Sequence, residues 1–403
     1  MPTVYDFYAP QHIVFGWGRR AEIGPLAKSL GSRAFVVSGS RTLESNGTID
    51  ELCGSLSTAG VAVERLATQT REPEVVDVDA TVERLLAIGV RTDDLVVAIG
   101  GGSAIDLAKA VAALATNRHG NSVKDFLEGV GRGLKIERPP LPVLAVPTTA
   151  GTGSEATKNA VISSFDPPFK KSLRSEWMVP KVVLVDPELT VSLPRDITAH
   201  TGMDAITQLI ESLISRRTTA IPGKLCLQGL ELALPAMVEL SRDLTNQFAR
   251  ERMSHAALLS GMALTNSGLG FAHGVAASLG VHARVPHGLA CAVMLPSALE
   301  INRDVAVDDL APLGFMCRHW LRDEDGLPLL ELEKSNDDDK IRHLQTVIRT
   351  LNERFGIPHR LSALGVTREQ LPALAKSSRG NSMDGNPRDV SDDELLTTLE
   401  RIW

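Results

Sequence analysis

Asp204 and Gln208 stand four residues apart in HTGMDAITQLIES (200–212), a segment with helical periodicity, so both side chains leave one face. An acid beside an amide is either half of a metal site or a polar pair facing water. Two imidazoles further along bear on that choice. His273 is a lone imidazole in the otherwise apolar stretch FAHGVAASLG, where a buried polar ring needs a partner. His287 follows Pro286 at the expected start of a helix, where a rigid turn directs it. Taken one at a time, His273 reads as a satisfied core histidine and His287 as an ordinary loop residue.

A second chemistry is written in VVAIGGGSAIDLAKA (96–110). An apolar strand pattern runs into Gly100, Gly101 and Gly102, and Ser103 then starts a helix. Glycines let backbone approach a ligand closely, and a helix N-terminus offers free N–H groups and a positive dipole end, which suits a diphosphate. The stretch is not a GxGxxG fingerprint, and the alternative is a tight structural turn. Asp106 and Lys109, one turn on, either face the nicotinamide half of a dinucleotide or pair with each other. The next polar loop, PTTAGTGSEAT (147–157), offers Thr148, Thr149, Thr152 and Ser154 to a diphosphate or ribose, with Lys158 just beyond. In VVSGSRT (36–42) no carboxylate is available to bind a ribose 2′-hydroxyl, whereas Ser40 and Arg41 suit a 2′-phosphate. NADP(H), or both NADP(H) and NAD(H), is the expectation; the alternative is NAD(H) with Arg41 in solvent.

These groups have to be held by elements, and the pattern of elements changes along the chain. Strand patterns at 33–40, 61–68, 94–100 and 141–148 alternate with helical ones at 48–60, 76–89 and 104–116. Buried apolar strands separated by helices imply an α/β unit with a parallel sheet covered on both faces. After KVVLVDPELTVSLP (181–194) the pattern is helical almost throughout. The segment 255–280 is apolar on nearly all sides, as a buried helix pair would be. EKSNDDDK (333–340) reads as a solvated acidic loop, and SFDPPFKK as a loop leading to Lys171, which meets cofactor phosphate or is solvated. Two domains are expected, an α/β dinucleotide-binding domain over 1–187 and an all-helical metal and substrate domain over 188–403, with the cleft between them as the natural ligand site.

Bulk properties narrow the partners. The chain has 403 residues, more than a single core usually serves. A net charge of −7 without a basic cluster argues against nucleic acid. Cys53, Cys226, Cys291 and Cys317 are scattered, which argues against a zinc ribbon or disulfide framework and favours a reducing compartment. The N-terminus MPTVYDFYAP has no apolar signal core, and no uncharged apolar run reaches the roughly 20 residues needed to span a bilayer. A cytoplasmic protein follows as the expectation. Most of the phenylalanines and tryptophans are expected in the core, and Phe271, Leu269 and Val281 are expected to make an apolar pocket lining.

Taken together and in order, GGGSAIDLAKA, PTTAGTGSEAT, DPELT, TGMDAITQLIES, FAHGVAASLG and PHGLACAVMLP resemble the iron-containing (group III) alcohol dehydrogenase family, from IVFGWG (13–18) to NPRDVSDDEL (386–395). The resemblance implies a dinucleotide-binding α/β domain, an all-helical domain, NAD(P)-dependent hydride transfer at a divalent metal, and a homodimer. It places Leu189 of DPELT with the cofactor residues and makes Asp204, His273 and His287 the metal and catalytic set. Gln208 stands where that family usually has a third imidazole. An amide oxygen is a weaker donor, so the ion is held with Gln208 as a fourth or distant ligand, or by three protein groups and water, or not at all. The family also often has a further histidine four residues after the first metal histidine, where this chain has Ala277; His200 and His282 are possible replacements or bystanders.

Competing readings remain at this point. A metal-independent reductase of the maleylacetate reductase type would leave His273, His287 and Lys158 to polarise a carbonyl. A lyase like dehydroquinate synthase needs a cationic pocket, and only Arg284 is basic near the two histidines. A nucleotide-binding protein that has lost catalysis would show the same weakened ligand set. The substrate, a small alcohol, aldehyde or ketone, is not specified further.

Overall fold

A computed structural model describes residues 4–319 and 332–403. The chain forms two compact units, one of Phe7–Leu193 and one of Pro194–Trp403 together with the N-terminal residues through Asp6.

In the first unit the strands are β1 (His12–Phe15), β2 (Arg33–Ser38), β3 (Ala62–Thr68), β4 (Asp94–Gly100), β5 (Val143–Pro147), β6 (Asn159–Phe165), β7 (Pro168–Arg174) and β8 (Val182–Val185). Six of them form a parallel sheet in the order β1-β8-β5-β4-β2-β3. Every residue of β2, β4 and β5 is buried between two helical layers, with Arg33 and Asp94 at the starts of β2 and β4 paired to each other at 2.8 Å. The helices are α1 (Ile23–Lys28), α2 (Arg41–Ser45), α3 (Thr48–Thr58), α4 (Val75–Ile88) and α5 (Gly102–Thr116). Small residues let α5 bury nearly every side, including Ala104, Ala108, Ala110 and Ala112. From β2 the chain moves outward to β3, then returns to the other side of β2 as β4. The order therefore reverses between β2 and β4, and the carboxyl ends of these two strands are the place where such sheets take ligands.

The strand–helix alternation agrees with expectation, but SFDPPFKK is not a plain loop. It closes an antiparallel hairpin of β6 and β7 outside the main sheet, with Lys171 opposite Ile162. The polar strand residues mask the pattern, while the two prolines mark only its turn. The tryptophans also depart from expectation. Trp177 is exposed, Trp17 and Trp403 are partly buried, and Trp320 lies outside the described residues. Trp403 shows the reason, since its indole N–H has to reach the Val366 carbonyl at 2.8 Å.

The second unit is built from α6 (Arg195–Ile214), α7 (Ala220–Arg242), α8 (Gln247–Asn266), α9 (Phe271–Ala283), α10 (His287–Asn302), α11 (Val307–Met316), α12 (Asp337–Arg354), α13 (Leu371–Ser377) and α14 (Asp392–Arg401). The acidic stretch 333–340 is not wholly a loop. Asn336 accepts the Asp339 N–H as an N-cap, and three aspartates occupy the first turn of α12, where the helix dipole favours them. No helix among the described residues is long and apolar enough to cross a membrane.

Helix α6 is the axis of this unit, buried throughout from Gly202 to Ile214 and packed by α7, α8 and α10. Its approach to α10 is close enough to need a glycine. A Cβ at Gly288 would lie 2.3 Å from the His200 carbonyl oxygen, so the start of α10, with His287, is drawn against α6. Alanine at 288 gains about 1 kcal/mol of helix propensity, but relief of the overlap by moving two helices costs about 1–3 kcal/mol. Gly288→Ala is expected to lower the urea midpoint and to loosen metal retention together; a variant that is more stable than the parent contradicts this packing.

Candidate metal centre and nucleotide edge

Three elements deliver the polar groups to one place in the second unit. Asp204 comes from the middle of α6, His273 from the first turn of α9, and His287 from the first residue of α10. Cys291, one turn into α10, joins them, and the ligand atoms of all four residues lie within 4.8 Å of one another. Asp204 Oδ1 is 3.4 Å from His273 Nε2 and 3.9 Å from His287 Nε2, and the two rings meet edge-on at a centroid distance of 5.5 Å. Asp204 Oδ1 and His273 Nε2 are buried and make no hydrogen bond. Burial without a partner costs a polar atom about 1–3 kcal/mol, so a carboxylate oxygen and an imidazole nitrogen left this way, aimed at each other, fit a divalent cation. His287 keeps its side chain about a quarter exposed, so the cluster is open on one side.

The aim of His273 is set by a residue absent from the sequence-based reading, Glu211. Its carboxylate is buried on α6 and accepts the backbone N–H groups of Gly270, Ala272 and His273 at 3.0, 2.6 and 3.2 Å. It also receives the His273 ring at Nδ1, 2.7 Å away. An ionised carboxylate only accepts, so Nδ1 carries a proton and Nε2 is the nitrogen that faces the cluster, where a cation would take the place of its proton. One acid thus caps α9 and orients the imidazole at its start. The signal was available: Asp204, Gln208 and Glu211 fall at spacings of four and three on one helix face.

Gln208 lies on that face, buried, with its amide nitrogen donating to Ser260 Oγ at 2.9 Å. Ser260 spends its own proton on the Ala257 carbonyl at 2.8 Å, so the amide end facing it has to be the NH2. Ser260 therefore fixes which way the amide is turned.

The electrostatics favour positive charge here. Burial disfavours an ionised Asp204, but His287 and His273 outweigh it and hold the carboxyl below its ordinary value. Burial also disfavours a cationic His273, yet Cys291, Asp204 and Glu211 together raise the imidazole well above its ordinary value. Burial pushes the Cys291 thiol up to about 12.

Other candidates fall elsewhere. His282 Nε2 pairs with Ser377 Oγ at 2.8 Å, outside the four-residue cluster. His200 is half-buried, and desolvation lowers its pKa. Ala277 is on α9, and Arg284 ends that helix in an exposed left-handed conformation. Phe271 is wholly buried and Leu269 nearly so, which makes them core rather than an open lining; only Val281 of the three keeps partial exposure.

In the first unit, Gly101, Gly102 and Ser103 keep partial exposure after buried Gly100 at the end of β4. Gly102, one residue before Ser103, is the first helical residue, and the N-cap position of α5 is Gly101, which has no side chain to cap it. The second polar loop packs on this turn: a Cβ at Gly102 would lie 2.6 Å from Thr152 Oγ1, and Thr149 sits against Gly101. Thr149 and Thr152 are partly exposed, while Thr148 is buried with its N–H on the Gly100 carbonyl at 3.0 Å. Asp106 is engaged internally with Ser154 Oγ, the Val161 N–H and Lys109, so Asp106 and Ser154 brace the loop. Lys158 lies over the Tyr8 ring at 4.9 Å. Leu189 is buried in the apolar core, which leaves only its backbone to meet a ligand. Ser40 caps α2 by accepting the Leu43 N–H, and Arg41 is exposed.

Residues 10–187 match the iron-containing alcohol dehydrogenase family, and 198–403 match the Fe-containing alcohol dehydrogenase family, C-terminal. The chain belongs to the iron-containing alcohol dehydrogenase family. It is 32% identical over 400 residues to the probable alcohol dehydrogenase EutG of Escherichia coli (strain K12), covering 98% of this chain and 94% of that one. The solved structure of a 1,3-propanediol oxidoreductase superposes with a TM-score of 0.87 at 27% identity, covering 99% and 100% of the two chains. Sulfoacetaldehyde reductase from Bifidobacterium kashiwanohense, solved in complex with NAD+, gives 0.83 at 29% identity over 100% and 99%. The group that could hold a metal contains Cys291, and Gln208 lies one turn after Asp204 on α6.

Glu211→Gln keeps the shape of the side chain but turns an N–H donor toward N–H donors. Metal retention is expected to fall about 10–100-fold, with a loss of stability of about 2 kcal/mol. Metal content after dialysis, read beside a urea titration, checks both; unchanged retention would mean that Glu211 does not orient His273.

Proposed function

We propose that this chain interconverts alcohols with their aldehydes or ketones, using NADP(H), or both NADP(H) and NAD(H), and a divalent ion held by Asp204, His273 and His287. Membership of the family makes it an NAD(P)-dependent oxidoreductase acting on CH–OH groups. The observation that carries the metal reading is the pair of buried, hydrogen-bond-free atoms Asp204 Oδ1 and His273 Nε2, facing each other in the cluster with His287.

Bound there, an ion polarises a carbonyl or acidifies a hydroxyl, while the nicotinamide takes or gives hydride at C4. The protein's own groups do the rest. Asp204 stays ionised, Glu211 holds the His273 lone pair in place, and the open side at His287 admits substrate. The uncapped N-terminus of α5, with Gly101, Gly102, Ser103, Thr149 and Thr152, is the proposed diphosphate seat at the switch point of the sheet. Oxidation removes hydride to the nicotinamide and a proton to solvent; reduction reverses both.

Ser40 and exposed Arg41 after β2, with no carboxylate at 39–41, support a 2′-phosphate contact. The expected working form is a homodimer in the cytoplasm; the four buried free cysteines suit a reducing compartment. Two measurements test this reading. Chelator stripping is expected to abolish turnover of small aldehydes and zinc or iron to restore it; full activity of verified metal-free protein overturns the metal assignment in favour of a metal-independent reductase. Arg41→Ala is expected to raise KM for NADPH about tenfold and leave KM for NADH unchanged, one charge-assisted contact being about 1.4 kcal/mol or more. A preference of the parent for NADH above tenfold ends the 2′-phosphate assignment.

A further inference from the structure

We infer that Cys291 Sγ is the fourth protein ligand of the metal, in the role left vacant by the glutamine at 208, and that the site is thereby matched to zinc rather than iron. This rests on the metal-dependent reading above and deepens it. The thiol is wholly buried on α10, one turn after His287, with Sγ 3.8 Å from His287 Nε2. It belongs to the group of four whose ligand atoms all lie within 4.8 Å of one another. The cysteine does not stand alone in this argument, because the two buried atoms without hydrogen bonds, Asp204 Oδ1 and His273 Nε2, point into the same space.

Spacing supports a tetrahedron. With bonds of about 2.0–2.1 Å to nitrogen or oxygen and about 2.3 Å to sulfur, the edges of a tetrahedral zinc site are about 3.3 Å between N or O donors and about 3.6 Å between N and S. The corresponding separations are 3.4 and 3.9 Å between Asp204 and the two imidazoles, and 3.8 Å between Cys291 and His287. These three edges are within about 0.6 Å of the bonded value, and the other three are at most 4.8 Å, a closure that side-chain rotations supply.

Donor chemistry points the same way. Three nitrogen and oxygen donors with one soft thiolate select zinc, whereas iron in such enzymes is served by imidazole and carboxylate. The Gln208 amide is a neutral donor already turned by its NH2 bond to Ser260. On metal binding the thiol loses its proton to solvent and no electron moves.

The test uses Co2+ as a spectroscopic substitute in the full-length, metal-free protein. Cobalt-loaded parent protein is expected to show an intense near-ultraviolet sulfur-to-cobalt charge-transfer band. Cys291→Ser and Cys291→Ala are expected to lose that band and to bind Co2+ and Zn2+ at least tenfold more weakly in chelator competition, while Gln208→Ala changes affinity less than threefold. A parent that binds Co2+ without the band, or a Cys291→Ser variant that keeps parental affinity, overturns the assignment of Cys291 and leaves the three-residue site intact. A parent that binds no Co2+, with His273→Ala indistinguishable from it, overturns the metal-dependent reading and this inference with it. The parent's band is read without any substitution, so a variant that fails to fold does not remove the test.

Discussion

The helical unit turns on one buried carboxylate. Glu211 takes three backbone N–H groups from the start of α9 and the Nδ1–H of His273. A buried acid without such partners would be among the most unfavourable groups a core can hold, and removing one partner of a buried charge commonly costs 3–5 kcal/mol. Here helix dipole, backbone donors and imidazole satisfy it together. Because α9 begins at that contact, the direction of its first turn and the direction of the His273 lone pair are one constraint. Asn386 adds to it by accepting the Phe271 N–H at 3.2 Å, which ties the NPRDV segment near the C-terminus to the same helix start.

Much of the architecture could be read from sequence because burial is written uniformly in it. β5 and, after Asp94, β4 are apolar to their ends, a pattern that suits a sheet covered on both faces. The β6–β7 hairpin was not legible, since SSF and KKS carry polar residues on strands outside the main sheet. Asp204, His273 and His287 were grouped by the family resemblance, since each imidazole alone reads as ordinary, while Glu211 and Cys291 were not singled out. A lone cysteine is usually packing, so only three-dimensional proximity singles out Cys291, whereas Glu211 showed only in its spacing from Asp204 and Gln208 on one helix face. The engagement of Asp106 with Ser154 was equally hidden, because it joins residues 48 apart in sequence.

Gln208 shares the buried face of α6 with Asp204 and Glu211 without belonging to the cluster of possible ligands. The glutamine fits the buried face of α6 and finds a partner in Ser260, so the helix packing carries no unsatisfied amide NH2. The remaining donors keep their positions because α6, α9 and α10 are fixed by contacts that residue 208 does not make, among them the Glu211 cap and the close approach of Gly288 to His200.

Lys109 carries a consequence for the nucleotide edge. Its ammonium is sealed inside the first unit, bonded to the Ser154 carbonyl and Thr157 hydroxyl at 2.8 Å, to the Asn159 carbonyl, and paired with Asp106 at 3.2 Å. One side chain from α5 thereby rivets the loop 148–157 from beneath, before any dinucleotide arrives. The conformational entropy of that loop is surrendered during folding, so any ligand seated there would meet a shape already set instead of a strap it must first tame.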